Sequence, residues 1–140
     1  MLATHTVFIT GCTSLGAHLA TRLAGEGCAV RLLDRVAASF SNLPDRLQAA
    51  CIDGDPLDLD VLRCAGIEKA EFVLATSHED DLNAATSLVA LRVFGAPHVF
   101  ARIDDPDRAA SYEQLGITTV CSPPMVAAAF LQRIESIARE

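Results

Sequence analysis

Val7-Phe8-Ile9-Thr10-Gly11-Cys12-Thr13-Ser14-Leu15-Gly16 is the stretch that decides the fold of this 140-residue chain. A run of apolar residues typical of a buried strand leads into a glycine turn, and a helix-periodic segment follows the turn. A second apolar run, residues 30–33, then ends on the carboxylate of Asp34. This order predicts a βαβ unit with a phosphate site at the helix N-terminus and a carboxylate that binds ribose.

One position of the turn departs from the dinucleotide-binding pattern G-x-G-x-x-G. Gly11 permits the sharp turn and Gly16 permits close approach of helix and strand, but Thr13 stands at the second glycine. The Cβ of Thr13 would crowd the path of a pyrophosphate, whereas its hydroxyl and that of Ser14 are able to donate to a phosphate oxygen. The pattern favours weakened dinucleotide binding or a mononucleotide held in a shifted pose.

Composition narrows the class of protein. Hydrophobic residues make up 51% of the chain and charged residues 21%, which is typical of one packed globular domain. The net charge is −7 and Lys69 is the only lysine, so a nucleic-acid-binding function is disfavoured. No apolar run approaches the about 20 residues that cross a bilayer, so we expect no direct membrane insertion.

The cysteines predict free thiols. Five are scattered without C-x-x-C spacing, which fits a reducing compartment better than a disulfide framework or a zinc site. Cys12 lies in the glycine turn, where a redox-sensing role would need an exposed thiol with a lowered pKa. The plainer expectation is that Cys12 is a small buried hydrophobe beside the nucleotide.

The whole chain alternates strand-like and helix-periodic segments. This alternation predicts an α/β fold: a Rossmann-like, doubly wound, six-stranded parallel sheet with helices on both faces. We expect strands near 6–10, 28–33, 49–52, 71–75, 98–103 and 117–121, and helices near 15–26, 56–65, 80–94, 106–115 and 124–139. Pro44 argues against a long helix between the second and third strands. The apolar stripe of the last helix indicates either that it folds back on its own sheet or that it is a dimer arm.

Further candidate site residues follow the second and third strands. Asp34 would accept hydrogen bonds from ribose hydroxyls and repel a 2′-phosphate, so NADP is disfavoured. Arg35 either stacks on adenine or is a solvated charge at a strand end. The triplet Asp53-Gly54-Asp55 follows the third strand, at the sheet edge where adenine would lie.

The fourth and fifth strands end on Thr76 and Arg102. Arg102 is able to hold a phosphate bidentately, and a salt bridge to Asp104 or Asp105 is the alternative. After Thr76, the run His78-Glu79-Asp80 offers metal-ligand atoms, but acidic residues in a first helical turn are usually complements of the helix dipole. We therefore predict no metal site.

The sequence holds no recognisable catalytic constellation. Tyr112 is the only tyrosine and no lysine follows it at the spacing that short-chain dehydrogenases use. The nucleophile motif G-x-S-x-G is also missing. We predict that the chain is not an enzyme, and a small NAD-dependent oxidoreductase is the alternative.

A series of motifs beyond the turn points to one family. In chain order they are residues 11–16, Leu32-Leu33-Asp34, Ile52-Asp53-Gly54-Asp55, Leu62-x-x-Ala65-Gly66-Ile67-x-x-Ala70, Ala75-Thr76, Asp80-Asp81-x-Asn83, Ala101-Arg102, Leu115-Gly116-Ile117 and Pro123-Pro124. Over nearly its whole length the chain resembles the N-terminal RCK domain, also called TrkA-N or KTN, of potassium channel and transporter regulators.

The resemblance implies a cytoplasmic regulatory domain that binds NAD(H) or ATP, ADP or AMP and controls potassium transport through a membrane channel or transporter subunit. Such domains form homodimers or larger rings. By matching position, the resemblance implies that Gly11, Thr13 and Gly16 line the phosphates, Asp34 the ribose, Asp55 the adenine, Thr76 the inner crevice and Arg102 the far phosphate side. The other turn residues, Cys12, Ser14 and Leu15, complete the predicted cofactor-binding set.

The chain also departs from the family pattern. Thr13 replaces the second glycine, Ser14 stands where many members carry a phosphate-binding arginine, and Pro56 replaces the small residue after Gly54-Asp55. These departures keep open a nucleotide-free assembly scaffold. We expect residues 1–140 to be a single N-terminal RCK domain without the C-terminal subdomain, and residues 124–139 to be its candidate dimer arm.

Overall fold

A computed structural model describes residue 2 and residues 4–139. Met1, Ala3 and Glu140, which belong to the predicted domain 1–140, lie outside the described residues. The strands are β1 (Thr6–Thr10), β2 (Ala29–Asp34), β3 (Cys51–Asp53), β4 (Phe72–Ala75), β5 (His98–Arg102) and β6 (Thr118–Val120). The helices are α1 (Ser14–Gly25), α2 (Asp45–Gln48), α3 (Leu59–Ala65), α4 (Asp80–Arg92), α5 (Pro106–Glu113) and α6 (Ser122–Ala138), with short 3-10 helices at Ala37–Asn42 and Ile67–Lys69.

All six strands form one parallel sheet in the order β3-β2-β1-β4-β5-β6. Thr10 at the end of β1 lies opposite Leu33 of β2 on one side and Ala75 of β4 on the other. The strand order therefore reverses between β1 and β4, and ligands of doubly wound folds bind beyond the carboxyl ends of the strands at such a reversal. The predicted fold class is confirmed.

The sheet is buried on both faces near its centre, which explains why its strands are continuous apolar runs. Successive residues of β1 enter different apolar clusters. Phe8 packs with Leu33, Leu62 and Val73, whereas Ile9 packs with Leu32 and its neighbours on the opposite face. Cys12 of the glycine turn belongs to the second cluster, which attaches the turn to that face of the sheet.

The segment between β2 and β3 contains no long helix, as Pro44 predicted. It forms the 3-10 helix Ala37–Asn42 and the single turn of α2, with Pro44 as the N-cap residue. The Gln48 amide donates to the carbonyls of Phe40 and Leu43 at 2.8 and 3.2 Å. These bonds close the loop beside the edge of the site.

The last helix does not fold back on its own sheet, so that alternative is wrong. None of the described residues of α6 is buried, and Phe130 and Ile137 are 65% and 71% exposed. The Ser122 N–H and hydroxyl both donate to Asp104 and hold the first turn at the end of the sheet. The apolar stripe of α6 is consequently left uncovered within the chain.

The sheet face beside α1 is also partly uncovered. Two adjoining apolar cavities of about 210 and 240 Å³ share Leu19 of α1, Leu74 of β4 and Phe100 of β5. We call them together the α1 groove.

Among the described helices, none is both long enough and apolar enough to cross a bilayer.

Candidate nucleotide-binding site

A cavity of about 330 Å³ lies where the strand order reverses, beyond the carboxyl ends of β1, β2 and β4. Part of the predicted site lines it: Gly11, Cys12, Thr13, Asp34 and Arg35. The remaining lining residues are Thr10, Leu33, Val36, Ser39, Pro56, Ser77, His78, Glu79 and Leu82. The volume is at the small end of the range for small-molecule sites.

Two glycines of the turn are required by backbone geometry. Gly11 has a φ of +89°, and a Cβ at this position would lie 2.6 Å from the Ser77 nitrogen. A Cβ on Gly16 would lie 2.2 Å from the Gly11 carbonyl oxygen. The Gly11 N–H donates to the Leu33 carbonyl at 2.9 Å, which fixes the turn against β2. Glycine at position 11 therefore allows the turn to contact the segment after β4, and glycine at position 16 allows α1 to contact the turn.

Thr13 is the N-cap of α1. Its hydroxyl accepts from the Gly16 N–H at 3.2 Å and donates to the Thr76 carbonyl at 2.7 Å. Its backbone, with φ −77° and ψ 178°, is in the extended region that any residue adopts. Ser14 is the exposed first residue of the helix, so its hydroxyl is not the cap.

Asp34 closes the cavity opposite the turn. One carboxylate oxygen accepts from the Cys12 N–H at 2.7 Å and the other from the Val36 N–H at 2.9 Å. A carboxylate has about four acceptor sites, so further lone pairs face incoming donors. The arrangement fixes the orientation of Asp34 and leaves it able to accept from ribose hydroxyls.

Cys12 has the environment of a structural thiol. The residue is buried in the cluster behind the turn, and its N–H is held by Asp34. Burial above all, with smaller contributions from Cys51 and Asp34, raises the pKa of Cys12 to about 11. The thiol is therefore protonated at neutral pH, which is the opposite of what a redox sensor requires.

Of the candidate residues at the ends of β2 and β3, some line the cavity and others lie on the surface. Arg35 and Asp55 form an exposed ion pair at 3.9 Å beside the cavity. The Gly54 N–H donates to the Asp34 carbonyl at 3.0 Å, so Gly54 supports the site from behind. Asp53 is exposed at the outer edge of the sheet and does not line the cavity. Pro56 is buried and lines it.

The residues after β4 and β5 lie on the other side of the turn. Thr76 is buried, and its hydroxyl donates to the Gly11 and Thr10 carbonyls at 2.8 and 3.2 Å, which ties β4 to β1. Arg102 forms an ion pair with Asp104 at 3.2 Å, the alternative that the sequence left open. Thr76, Arg102 and Leu15 line the α1 groove rather than the cavity beside Asp34.

The run after Thr76 does not assemble a metal site. His78 and Glu79 line the cavity, but the Asp80 carboxylate accepts from the N–H groups of Asp104 and Asp105, each at 3.0 Å. Within the described part of the chain, no three metal-ligating side chains converge. The acidic start of α4 therefore serves local hydrogen bonding.

Sequence reasoning missed the apolar and hydroxyl residues of the cavity. They are Val36, Ser39, Pro56, Ser77 and Leu82. Val36 and Ser77 have one signal in the sequence, because each lies two residues after the end of a strand. Which strand ends meet is a property of the sheet order, and no local motif reports it.

Comparison with known proteins adds three findings. The model of the TrkA-N domain family matches residues 7–123. The chain is 38% identical over 128 residues to the Trk system potassium uptake protein TrkA of Streptomyces coelicolor, covering 91% of this chain and 57% of that protein. The chain thus spans little more than half of that relative.

The solved structures agree on the fold. The TrkA-N domain of the inner membrane protein ybaL from Escherichia coli has a TM-score of 0.79 at 16% identity, covering 93% of this chain and 96% of that chain. The GsuK channel bound to NAD has a TM-score of 0.79 at 21% identity, covering 94% and 24%. GsuK bound to ADP has a TM-score of 0.78 at 22% identity, covering 93% and 33%.

Proposed function

Because this chain belongs to the TrkA-N domain family, we propose that it is a regulatory domain that binds an adenine nucleotide and controls potassium transport by a membrane channel or transporter subunit. The main support for the proposal is that Asp34 and the glycine turn line one and the same cavity, at the point where the strand order reverses. One structural neighbour supports it, since GsuK was solved both with NAD and with ADP. The proposed place of action is the cytoplasmic face of the membrane.

The geometry of the cavity supports this ligand class. The Asp34 carboxylate is fixed for ribose hydroxyls, and the N-terminus of α1 offers N–H groups and a positive dipole end for phosphate. Arg35 and Asp55 border the side where adenine would lie. A 2′-phosphate would approach the Asp34 carboxylate and be repelled, so NADP is disfavoured.

A regulatory role is favoured over catalysis by what lines the cavity. Tyr112 lies on α5, where its hydroxyl accepts from Arg108 at 3.3 Å, and it does not line the cavity. The Cys12 thiol is buried and protonated. An NAD-dependent oxidoreductase remains the second candidate, and substrate-dependent oxidation of NADH would favour it.

We propose that the chain works as a homodimer with α6 as its arm. The apolar stripe of α6 and the α1 groove are both uncovered, and a second copy supplies a partner for each. Exchange of α6 between two copies would bury both surfaces at once. Nucleotide binding then controls transport to the extent that it favours one assembly state over another.

Thermal unfolding with added nucleotide tests the site. A ligand that binds only the folded state raises its stability, by about 2.7 kcal/mol at a hundredfold excess over Kd. We expect AMP, ADP, ATP or NAD(H) to raise the Tm, and NADP to have a smaller effect. Asp34→Ala should remove the shift, because it removes the ribose acceptor.

Asp53→Ala is the matched control. Asp53 lies opposite Asp34 in the β2–β3 pairing but outside the cavity, so its loss should leave the nucleotide shift intact. If no adenine nucleotide shifts the Tm at millimolar concentration, the chain is better described as a nucleotide-free scaffold. A shift that survives Asp34→Ala would mean that the nucleotide binds elsewhere, and equal loss of the shift in both variants would mean that the ribose acceptor of Asp34 is not its cause.

A further inference from the structure

The side chain of Thr13 stands between two cavities. Thr13 lines the cavity beside Asp34, whereas Thr76 and Arg102 line the α1 groove on the other side of the turn. The 2.7 Å hydrogen bond from the Thr13 hydroxyl to the Thr76 carbonyl joins the end of β1 to the end of β4. A ligand that extends from Asp34 toward Arg102 has to pass this bond.

Two hydrogen bonds hold the Thr13 side chain in place. The hydroxyl donates to the Thr76 carbonyl and also accepts from the Gly16 N–H at 3.2 Å. Rotating it away would leave a carbonyl and an N–H without partners at a crowded place, which is unfavourable. The Thr13 side chain is therefore a fixed part of the wall of the cavity beside Asp34.

Thr13 also changes the supply of phosphate donors. The first N–H groups of a helix lack intrahelical partners and are the donors that bind phosphate. In this chain the Gly16 N–H is already bonded to the Thr13 hydroxyl. A second phosphate that lies along the turn therefore has one free backbone N–H donor fewer to bind.

Both effects, the Thr13 side chain in the path of the ligand and the lost Gly16 donor, should weaken the binding of a dinucleotide more than that of a mononucleotide. The pyrophosphate of a dinucleotide is held at both ends, by adenosine in one pocket and by the second nucleoside in another. It has no freedom to move away from the Thr13 Cβ. The phosphate of AMP or ADP has a free end and can lie outward from the turn.

We infer that Thr13 makes this site selective for adenosine mononucleotides, AMP or ADP, over the dinucleotide NAD. The inference rests on the proposed nucleotide-binding function and names the ligand class of that site. Steric discrimination in a packed site reaches about tenfold to a hundredfold, so we expect AMP or ADP to bind at least about tenfold more tightly than NAD.

Calorimetric titration of the chain with AMP, ADP and NAD tests this. Thr13→Gly removes the side chain, and glycine is tolerated at an N-cap, so the variant is expected to fold. NAD binding should become tighter relative to ADP by about tenfold in this variant. Thr13→Ser keeps the hydroxyl and the Cβ, and should keep the preference of the wild type. Thermal melting of both variants verifies folding.

The titration results distinguish failure of the inference from failure of the proposed function. A preference for AMP or ADP that is lost in Thr13→Gly and kept in Thr13→Ser supports the inference. Equal affinity for NAD and ADP in the wild type, or an unchanged ratio in Thr13→Gly, overturns it and leaves the proposed function intact. If none of the three nucleotides binds at millimolar concentration, the nucleotide-binding function and the inference fail together.

Discussion

At the N-terminus of α1, a threonine replaces a glycine without straining the backbone. The extended conformation of Thr13 is open to any residue, and its hydroxyl provides the cap that Ser14 does not. Gly11 and Gly16 have no such freedom, because added Cβ atoms would meet backbone atoms within 3 Å. One motif thus contains positions under different constraints: Gly11 and Gly16 are fixed by the backbone geometry, whereas the backbone at position 13 accepts any residue.

Gly16→Ala should destabilise the protein. Its Cβ would lie 2.2 Å from the Gly11 carbonyl oxygen and 2.8 Å from the Thr76 hydroxyl, so the turn or the helix has to move. We expect a loss of about 1–3 kcal/mol in the free energy of unfolding, measured by urea denaturation.

Gly25→Ala is the control in the same helix. A Cβ at Gly25 has no neighbour within 4 Å, and alanine is the better helix former. It should leave stability unchanged or raise it by up to about 1 kcal/mol. A stable Gly16→Ala variant would contradict the close approach of helix and strand at the turn.

Two buried polar residues of α4 should respond oppositely to truncation. The Asn83 amide accepts from the N–H and hydroxyl of Ser77 and donates to the carbonyls of Ser77 and Arg102. The Ser87 hydroxyl is buried and has no hydrogen-bond partner within the described residues. Asn83→Ala should cost about 2–3 kcal/mol of stability, whereas Ser87→Ala should be neutral or stabilising by about 1 kcal/mol. Urea denaturation of the two variants checks this, and a comparable loss in Ser87→Ala would reveal a partner for that hydroxyl.

At the scale of elements, a continuous set of hydrogen bonds connects the cavity to the first turn of α6. Ser77 in the cavity wall bonds to Asn83 of α4, and Asn83 bonds to the Arg102 carbonyl at the end of β5. The Arg102 side chain pairs with Asp104, which accepts from Ser122 at the start of α6. The elements that form the cavity wall and the elements that direct the last helix therefore share hydrogen-bonded residues.

The Asp104 anchor should make stability depend on pH. Partial burial tends to raise the pKa of Asp104, but hydrogen bonds from Ser122 and Arg102 outweigh it and lower the pKa below its ordinary value of 3.8. Because folding lowers this pKa, the stabilisation is present above the unfolded value and is lost as the pH falls through the folded value. Asp104→Asn should therefore destabilise the protein at neutral pH and have less effect near about pH 3.

Urea denaturation of wild type and variant at both pH values measures the difference. Asp45→Asn, at an exposed carboxylate of α2, is the control and should have little effect at either pH. A penalty for Asp104→Asn that does not decrease on acidification would mean that the charge of Asp104 is not what anchors α6.

At the scale of the whole molecule, the uncovered surfaces matter most. The stripe of α6 includes Val126, Phe130 and Ile134, each more than half exposed, in a chain whose centre is well packed. Helices with such a stripe are stable in water when the stripe is covered. The α1 groove is the matching apolar surface on the body of the domain.

Introducing negative charge into the apolar stripe of α6 should prevent dimer formation. We expect the wild type to sediment as a dimer at micromolar concentration and the double variant Phe130→Asp/Ile134→Asp to sediment as a monomer. Gln132→Asp adds the same charge on the opposite face of α6 and should remain dimeric. A strictly monomeric wild type would exclude the dimer arm, and a dimeric double variant would place the interface elsewhere.

Much of the fold and part of the site were predictable from local signals. The apolar runs around Ile9, Leu32 and Val73 lie close to the observed strands, because a parallel strand buried on both faces has to be apolar throughout. Gly11 and Gly16 were recognisable since only glycine satisfies their geometry. The pairing of Arg102 with Asp104, two residues further on, was one of the two alternatives that the sequence offered for Arg102. The lining position of Leu82 was not predictable, because it depends on a contact between segments far apart in the chain.

The amino-acid sequence by itself determined the order of strands and helices, the glycine turn and the placement of Asp34 at the end of a strand, because these follow from local periodicity and local backbone constraints. Only the tertiary structure decided that Thr13 bonds to Thr76, that Asn83 bonds to the Arg102 carbonyl and that α6 does not pack on its own sheet. The physical reason is that hydrogen bonds and burial depend on which strand ends lie side by side. That adjacency is set by the order β3-β2-β1-β4-β5-β6, which no single segment encodes.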